Sequence, residues 1–289
     1  MARITVSVER YPVVPSTDLR SPTVLVFDSG LGGLSVFREV ARVRPDARFV
    51  YAADSAAFPY GAWSEASLVE RVDQVMEDLI AAYRPDLVVI ACNTASTLAL
   101  PVLRARHAIP FVGTVPAIKP ACATSVSKRI SVLATPGTVR RDYTASLVRD
   151  FAQTCEVALV PSEKLAGLAE SILTGDPVDD ADIRAEIAPC FVRDGSSRTD
   201  TVVLACTHYP LILDHLKRLA PWPVSWVDPA PAIARRVASL LGPATRAGSP
   251  KPVLLAATGQ ALDSALVGAV LERPVERSDI LPERTRIAS

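Results

Sequence analysis

The chain has no excess of either charge: 31 basic and 31 acidic residues cancel over 289 positions. A neutral balance gives no electrostatic footprint for nucleic acid or for an anionic membrane surface. No apolar run approaches the roughly 18 residues that a membrane span needs. Charged and proline residues interrupt positions 1–22, so no secretory leader is read there. The expected location is the cytoplasm. Histidine is scarce, at 3 residues, and the 5 cysteines form no C-x-x-C and no zinc-type Cys/His spacing. That argues against a metal centre and against a disulfide framework, and in a reducing compartment the cysteines are expected as free thiols.

What is present is enough apolar material, 49% of residues, for one large α/β core or two modest ones. Its distribution favours two. Val88-Val89-Ile90-Ala91-Cys92-Asn93-Thr94 and Val202-Val203-Leu204-Ala205-Cys206-Thr207-His208 are near-copies 114 positions apart. Each reads as a buried strand that stops at Ala-Cys and runs into polar residues. The neighbouring units recur in the same order. Thr23–Phe27 is a strand followed by the loop Asp28-Ser29-Gly30-Leu31-Gly32-Gly33; Ile130–Ala134 is a strand followed by the loop Thr135-Pro136-Gly137-Thr138, at an offset of about 107. Helices are predicted over 34–43, 65–83, 140–151 and from 163 to 173, and strands over 49–52 and 157–160. Beyond Pro229 a helix (232–241), a strand (253–257) and a last helix (261–271) are expected to return to the first half.

Strands alternating with helices predict mostly parallel sheets. The duplication predicts two similar three-layer α/β domains related by a pseudo-twofold axis, with the active site in the cleft between them. The expected division is an N-terminal arm at 1–21, a first domain of 22–114 plus 226–289, and a second of 115–225. In such sheets ligands sit at the C-terminal ends of strands, where both cysteine phrases end.

A strand cysteine is ordinarily a small buried hydrophobe, and Cys122, Cys155 and Cys190 read that way. Cys92 and Cys206 differ because each is followed by side chains able to hydrogen-bond a ligand. A thiol can exchange its proton during turnover if a helix N-terminus or a histidine adjusts its acidity. Two thiols brought to one cleft suit a reaction that removes a proton from one face and returns it to the other. The Gly30-x-Gly32-Gly33 spacing is not the dinucleotide fingerprint; the preceding Asp28 tips this loop toward a ligand site rather than a plain turn. Pro59-Tyr60-Gly61 alone reads as a turn, and His107 and His215 carry no assigned role.

Taken together, the stretches Phe27–Val36, Phe58-Pro59-Tyr60-Gly61, Ala91–Ser96 and Ala205-Cys206-Thr207-His208-Tyr209-Pro210 resemble glutamate racemase, over about residues 22 to 270. Thr135–Val139 and Val227-Asp228-Pro229 also look like motifs of that family. The resemblance implies cofactor-independent formation of D-glutamate for peptidoglycan, with Cys92 and Cys206 as the two bases. It implies Asp28 near Cys92 and His208 near Cys206 as aids to proton transfer, and Glu170 as a third assisting acid, although the motif around Glu170 is poorly kept. Asp28, Ser29, Tyr60, Gly61, Asn93, Thr94, Thr207 and His208 would hold the amino acid. No metal and no cofactor is implied: no lysine stands in a phosphate-cup context for pyridoxal phosphate.

The arm and the phrase Val115–Ala121 look like the longer, Gram-negative branch, some of whose enzymes depend on UDP-N-acetylmuramoyl-L-alanine as activator. Activator dependence and a homodimer are left open at this point. Ala52-Ala53-Asp54-Ser55 departs mildly from the family's commoner Gly-Asp-Thr. The nearest alternative is an aspartate racemase, or another amino-acid or hydantoin racemase on a similar scaffold. A second is a noncatalytic or inhibitory member, for example one that binds DNA gyrase; both cysteines and all four ligand motifs argue against it. A thiol oxidoreductase is disfavoured by the separation of the cysteines.

Overall fold

The computed structural model of the chain describes residues 21–244 and 251–280. All of the expected N-terminal arm except Ser21 lies outside the described residues.

The first unit starts with β1 (Thr23–Asp28), α1 (Leu34–Val43), β2 (Arg48–Ala53), α2 (Glu65–Tyr83), β3 (Leu87–Ile90), α3 (Asn93–Arg106) and β4 (Phe111–Gly113). The second contains α4 (Ile118–Thr124), β5 (Arg129–Ala134), α5 (Pro136–Val139), α6 (Asp142–Phe151), β6 (Glu156–Pro161), α7 (Leu165–Thr174) and α8 (Asp180–Ile187). It continues through a small antiparallel hairpin, β7 (Arg193–Asp194) and β8 (Ser197–Arg198), to β9 (Thr201–Ala205), α9 (Leu213–Leu219) and β10 (Ser225–Val227). The chain then returns to the first unit through α10 (Ala230–Leu241), β11 (Val253–Ala257), α11 (Ser264–Leu271) and β12 (Val275–Ile280).

Two parallel sheets result. The larger has the order β12-β11-β2-β1-β3-β4, the smaller β10-β9-β5-β6. Read from the other edge, the small sheet is β6-β5-β9-β10, which repeats β2-β1-β3-β4 strand for strand. The duplication therefore extends to β4 and β10, which are only three residues each and too short to show a period in the sequence.

Both sheets are covered on both faces, which is why their central strands are continuous apolar runs rather than alternating ones. Val24, Val26, Leu87 and Val89 pack with α1 and α10, and their neighbours Leu25, Phe27, Val88 and Ile90 pack with α2 and α3. In the small sheet Val202 and Leu204 face α7, α8 and α9, while Ile130, Val132 and Val203 face α4 and α6.

The expected helices 34–43 and 65–83 have those bounds. The second is fixed at its start by Ser64, whose Oγ accepts from the amide of Ser67, and stopped by Arg84 in the left-handed conformation. The expected loop at Thr135–Thr138 is instead a short helical turn: the Thr135 hydroxyl caps the Thr138 amide and Pro136 takes the first helical position. The expected boundary between 225 and 226 falls inside β10, which pairs with β9; the chain leaves the small sheet only after Val227. Helix α3 escaped the sequence reading because its first turn is polar and Pro101 interrupts its pattern. Among the described residues no helix is long and apolar enough to cross a membrane.

Candidate active site

In each sheet the strand order reverses beside the first strand of the repeat, between β1 and β3 and between β5 and β9. Such a reversal leaves a crevice at the C-terminal ends of the strands. The two crevices face one cleft, lined by Ser29, Tyr60, Cys92, Asn93 and Thr94 on one flank and by Thr135, Cys206, Thr207 and His208 on the other. Its cavity volume is about 30 Å³.

Cys92 ends the β3 run and is the residue from which α3 starts, so its thiol sits at the positive end of a 14-residue helix. Its Sγ lies 3.9 Å from the Ser29 hydroxyl oxygen. Burial, and next the charge of Asp28, push the Cys92 thiol well above its ordinary value, so Cys92 rests protonated. Cys206 has a different neighbour: its Sγ is 3.7 Å from Nδ1 of His208, whose Nε2 is 2.9 Å from Oε1 of Glu170. Burial alone would lower the His208 value. The hydrogen bonds to Cys206 and Glu170 override it and hold the imidazole up at about 10. Burial would raise Glu170, but its bond to His208 and the imidazolium charge bring it below the ordinary carboxylate value. Glu170 is thus a carboxylate and His208 an imidazolium, placed against the Cys206 sulfur.

Asp28 is fully buried and joins the two halves. Its Oδ1 accepts from the Ser29 amide at 2.6 Å and the Ser29 hydroxyl at 3.3 Å, and its Oδ2 accepts from the Thr207 hydroxyl at 3.0 Å. Burial raises its value, against the opposing charge of His208. Asp28 therefore reaches Cys92 through Ser29 rather than by a bond of its own. Glu170 also accepts from the Leu31 amide at 2.9 Å, a second tie between the units.

The glycines of this loop turn out to serve close packing. A Cβ on Gly30 would stand 2.2 Å from Oε1 of Glu170, and one on Gly32 2.5 Å from Nδ1 of His208. Neither glycine is in the left-handed region, so what the loop needs is space for side chains of the other half, not conformational freedom.

Of the candidate ligand residues, Asn93 is 3% exposed and neither its Oδ1 nor its Nδ2 has a hydrogen-bond partner among the described residues. That leaves hydrogen-bonding capacity beside the cleft that no described protein group meets. Tyr60 lines the cleft, but its hydroxyl donates to Oδ2 of Asp54 at 2.6 Å. Gly61 lies at the point where the two units approach across the cleft: a Cβ there would stand 3.6 Å from that of Thr135. Five lining residues were not assigned a site role from the sequence. Thr135 lies 3.3 Å from the Thr94 hydroxyl and 3.1 Å from that of Thr138, and it occupies the position that Asp28 holds in the other repeat. The offset of about 107 could have flagged it. Phe58, Pro59, Ala166 and Ala205 complete the lining; Phe58, Pro59 and Ala205 stand in the stretches that carry the family resemblance, and no residue-level signal marks Ala166.

Residues 34–237 match the model of the Asp/Glu/Hydantoin racemase family. A glutamate racemase of Brucella anthropi is 56% identical over 81% of this chain and 84% of its own length. That of Brucella ovis is 55% identical over 80% and 83%. Among solved structures, Escherichia coli glutamate racemase in complex with L-glutamate and the activator UDP-MurNAc-ala superposes with a TM-score of 0.81. It is 41% identical, covering 90% of this chain and 98% of that one.

Proposed function

We propose that Cys92 and Cys206 are the two proton-exchanging groups of this chain, which belongs to the Asp/Glu/Hydantoin racemase family and catalyses the racemisation of glutamate. The observation that supports this reading is that both thiols line one cleft from the ends of equivalent strands in the two sheets, with different protonation partners.

The α-hydrogen of glutamate is far less acidic than a thiol, so the site must stabilise the carbanion that forms as the proton leaves. Neutral donors preorganised in a cleft that excludes water supply this. Asn93, Thr94, Thr135 and Thr207 hold the α-carboxylate and α-ammonium, and the helix start at Cys92 adds its dipole. In one direction a Cys206 thiolate, with the His208 imidazolium as its counter-ion, takes the α-proton, and the Cys92 thiol delivers its own proton to the opposite face. Cys206 is then a thiol and Cys92 a thiolate, ready for the reverse reaction. Glu170 holds His208 in its charged state and does not touch the reacting carbon. The product supplies D-glutamate for peptidoglycan.

The test is turnover of L- and D-glutamate in deuterated water. The product enantiomer is expected to carry solvent deuterium at the α-carbon from the first turnover, because the proton delivered comes from a different thiol than the one that received the substrate's. Full retention of the substrate hydrogen in the product would refute the two-base reading.

We further propose that the chain divides into units of 22–114 with 228–280 and of 115–227. We also propose that a UDP-N-acetylmuramoyl-L-alanine-like precursor activates it, as the bound activator of the Escherichia coli enzyme suggests. Initial rates measured with and without that precursor test the second point; equal rates would exclude activation.

A further inference from the structure

Next to the cleft but outside the proton-exchanging groups stands a saturated buried carboxylate. Asp54, at the end of β2, is fully buried. Its Oδ2 accepts from Nε of Arg71 at 3.0 Å and from the Tyr60 hydroxyl at 2.6 Å. Its Oδ1 accepts from Nη2 of Arg71 at 2.6 Å and from the Thr258 hydroxyl. Two carboxylate oxygens offer about four lone-pair directions, and all are taken. The Arg71 side chain is 3% exposed. An ion pair this dry is poor evidence for stability, since desolvation offsets most of the attraction, and its geometry is what it contributes.

That geometry fixes both walls of the cleft entrance on one point. The Asp54 amide donates to the Asp28 carbonyl at 2.9 Å, which ties the hub to the loop carrying Asp28 and Ser29. Tyr60 ties it to the segment Phe58–Gly61 that lines the cleft. Thr258, just beyond β11, completes the clamp: its hydroxyl oxygen also accepts from the Ala56 amide at 3.2 Å, and the Gly259 amide donates to the Ser55 hydroxyl at 3.2 Å. On its far side the same segment meets the other unit, where a Cβ on Gly137 would stand 3.5 Å from the Gly61 Cα.

We infer that Arg71 and Thr258 are positioning residues for glutamate, acting through Asp54 and Tyr60 to hold the Phe58–Gly61 wall at the spacing the substrate requires. Neither residue lines the cleft, so neither takes part in proton transfer. Loss of either donor leaves a buried carboxylate lone pair unmet and frees the wall. The expected signature is weaker substrate binding with intact chemistry.

Thr258→Val, which keeps the shape and removes the hydroxyl, should raise KM for both enantiomers about tenfold while kcat stays within about threefold. The pH dependence of kcat should be unchanged, because the thiols and His208 keep their partners. Thr258→Ser, which restores the donor, should restore KM. Arg71→Lys, which cannot form the two-pronged contact, should act in the same direction. If Thr258→Val lowers Tm while KM stays at the parent value, the hub is purely structural and the inference fails. A fall in kcat at unchanged KM overturns it equally. Should Thr258→Val not fold, Arg71→Lys, at a residue outside the cleft lining, is read by the same split between KM and kcat.

Discussion

The Thr207 hydroxyl donates to Oδ2 of Asp28 across 3.0 Å, although 179 residues separate the two in the chain. The bond joins the residue after one cysteine to the loop after β1, in the opposite unit. Ser35 reinforces it, donating to the Thr207 carbonyl at 2.8 Å. Cys206 is therefore held in register with a loop of the half it does not belong to, and the Thr94–Thr135 hydroxyl contact at 3.3 Å does the same beside Cys92. The proposed proton exchange requires the two units to keep that relation.

Cys92→Ser and Cys206→Ser should each lower racemisation by at least about a thousandfold, since on the proposed two-base reading each removes one acid–base group. Each variant should still wash the α-hydrogen of one enantiomer only into solvent, with the opposite preference in the two variants. Proton NMR of L- and D-glutamate in deuterated water measures this, and racemisation at the parent rate by either variant rules out the assignment.

His208 gives a signed pH dependence. Its folded value of about 10 stands above the ordinary 6.5. The stability it contributes is therefore full below about pH 6.5 and is lost as pH rises through about 10. Glu170 has a lowered value, so its contribution is present above the ordinary carboxylate range and is lost as pH falls through the folded value. His208→Asn should accordingly lower Tm most near pH 6 and least near pH 10. A Tm deficit that is constant over that range would mean that His208 is not charged in the folded protein.

Gly32→Ala places a Cβ 2.5 Å from Nδ1 of His208 and 2.6 Å from the Thr207 hydroxyl oxygen. Overpacking of this kind costs about 1–3 kcal/mol, and here the groups that must yield are the partners of Cys206 and Asp28. The expected result is a drop of about ten- to a hundredfold in kcat/KM with the protein still folded at room temperature. Steady-state kinetics with circular dichroism check it, and parent-like kinetics would show that the close approach has no bearing on turnover.

Asp200 tests the scaffold without touching the cleft. Its carboxylate accepts from the Val126 and Ser127 amides and the Ser125 hydroxyl, each at 2.7 Å, and from Thr201 at 2.8 Å. Burial would raise its value; these bonds outweigh it and hold the group down at about 2. Asp200→Ala should destabilise the protein by about 2–3 kcal/mol in urea titrations at pH 7 with kcat unchanged. The parent's advantage should fade as pH falls from about 3.8 through about 2. An unaltered urea midpoint would remove Asp200 from the framework.

The cysteine phrases, the strands leading to them and the two long helices of the first unit were legible because burial on both faces of a parallel sheet demands unbroken apolar runs, and a helix with one buried face demands a 3.6-residue period. The weaker elements were not legible. β4 and β10 are too short to show a period, and α5 owes its turn to one cap and one proline. Helix α3 carries a buried polar first turn, whose Asn93 and Thr94 line the cleft, and that makes its sequence look like a loop.

By itself the sequence determined that two similar α/β units exist, that each ends a buried strand in a cysteine, and that the residues after those cysteines differ. Local pattern is sufficient for this, because strand and helix periods are properties of neighbouring residues. Only the tertiary structure decided which groups meet. It set Glu170 behind His208, paired Thr207 with Asp28, brought Thr135 beside Thr94 and gathered Arg71 and Thr258 on Asp54. Those contacts span tens to hundreds of residues, and their energetics depend on distance and desolvation at the site. The same thiol is therefore pushed up at Cys92 and set 3.7 Å from the His208 ring at Cys206; the phrases show that a histidine follows only one cysteine, but not what burial and Glu170 do to it.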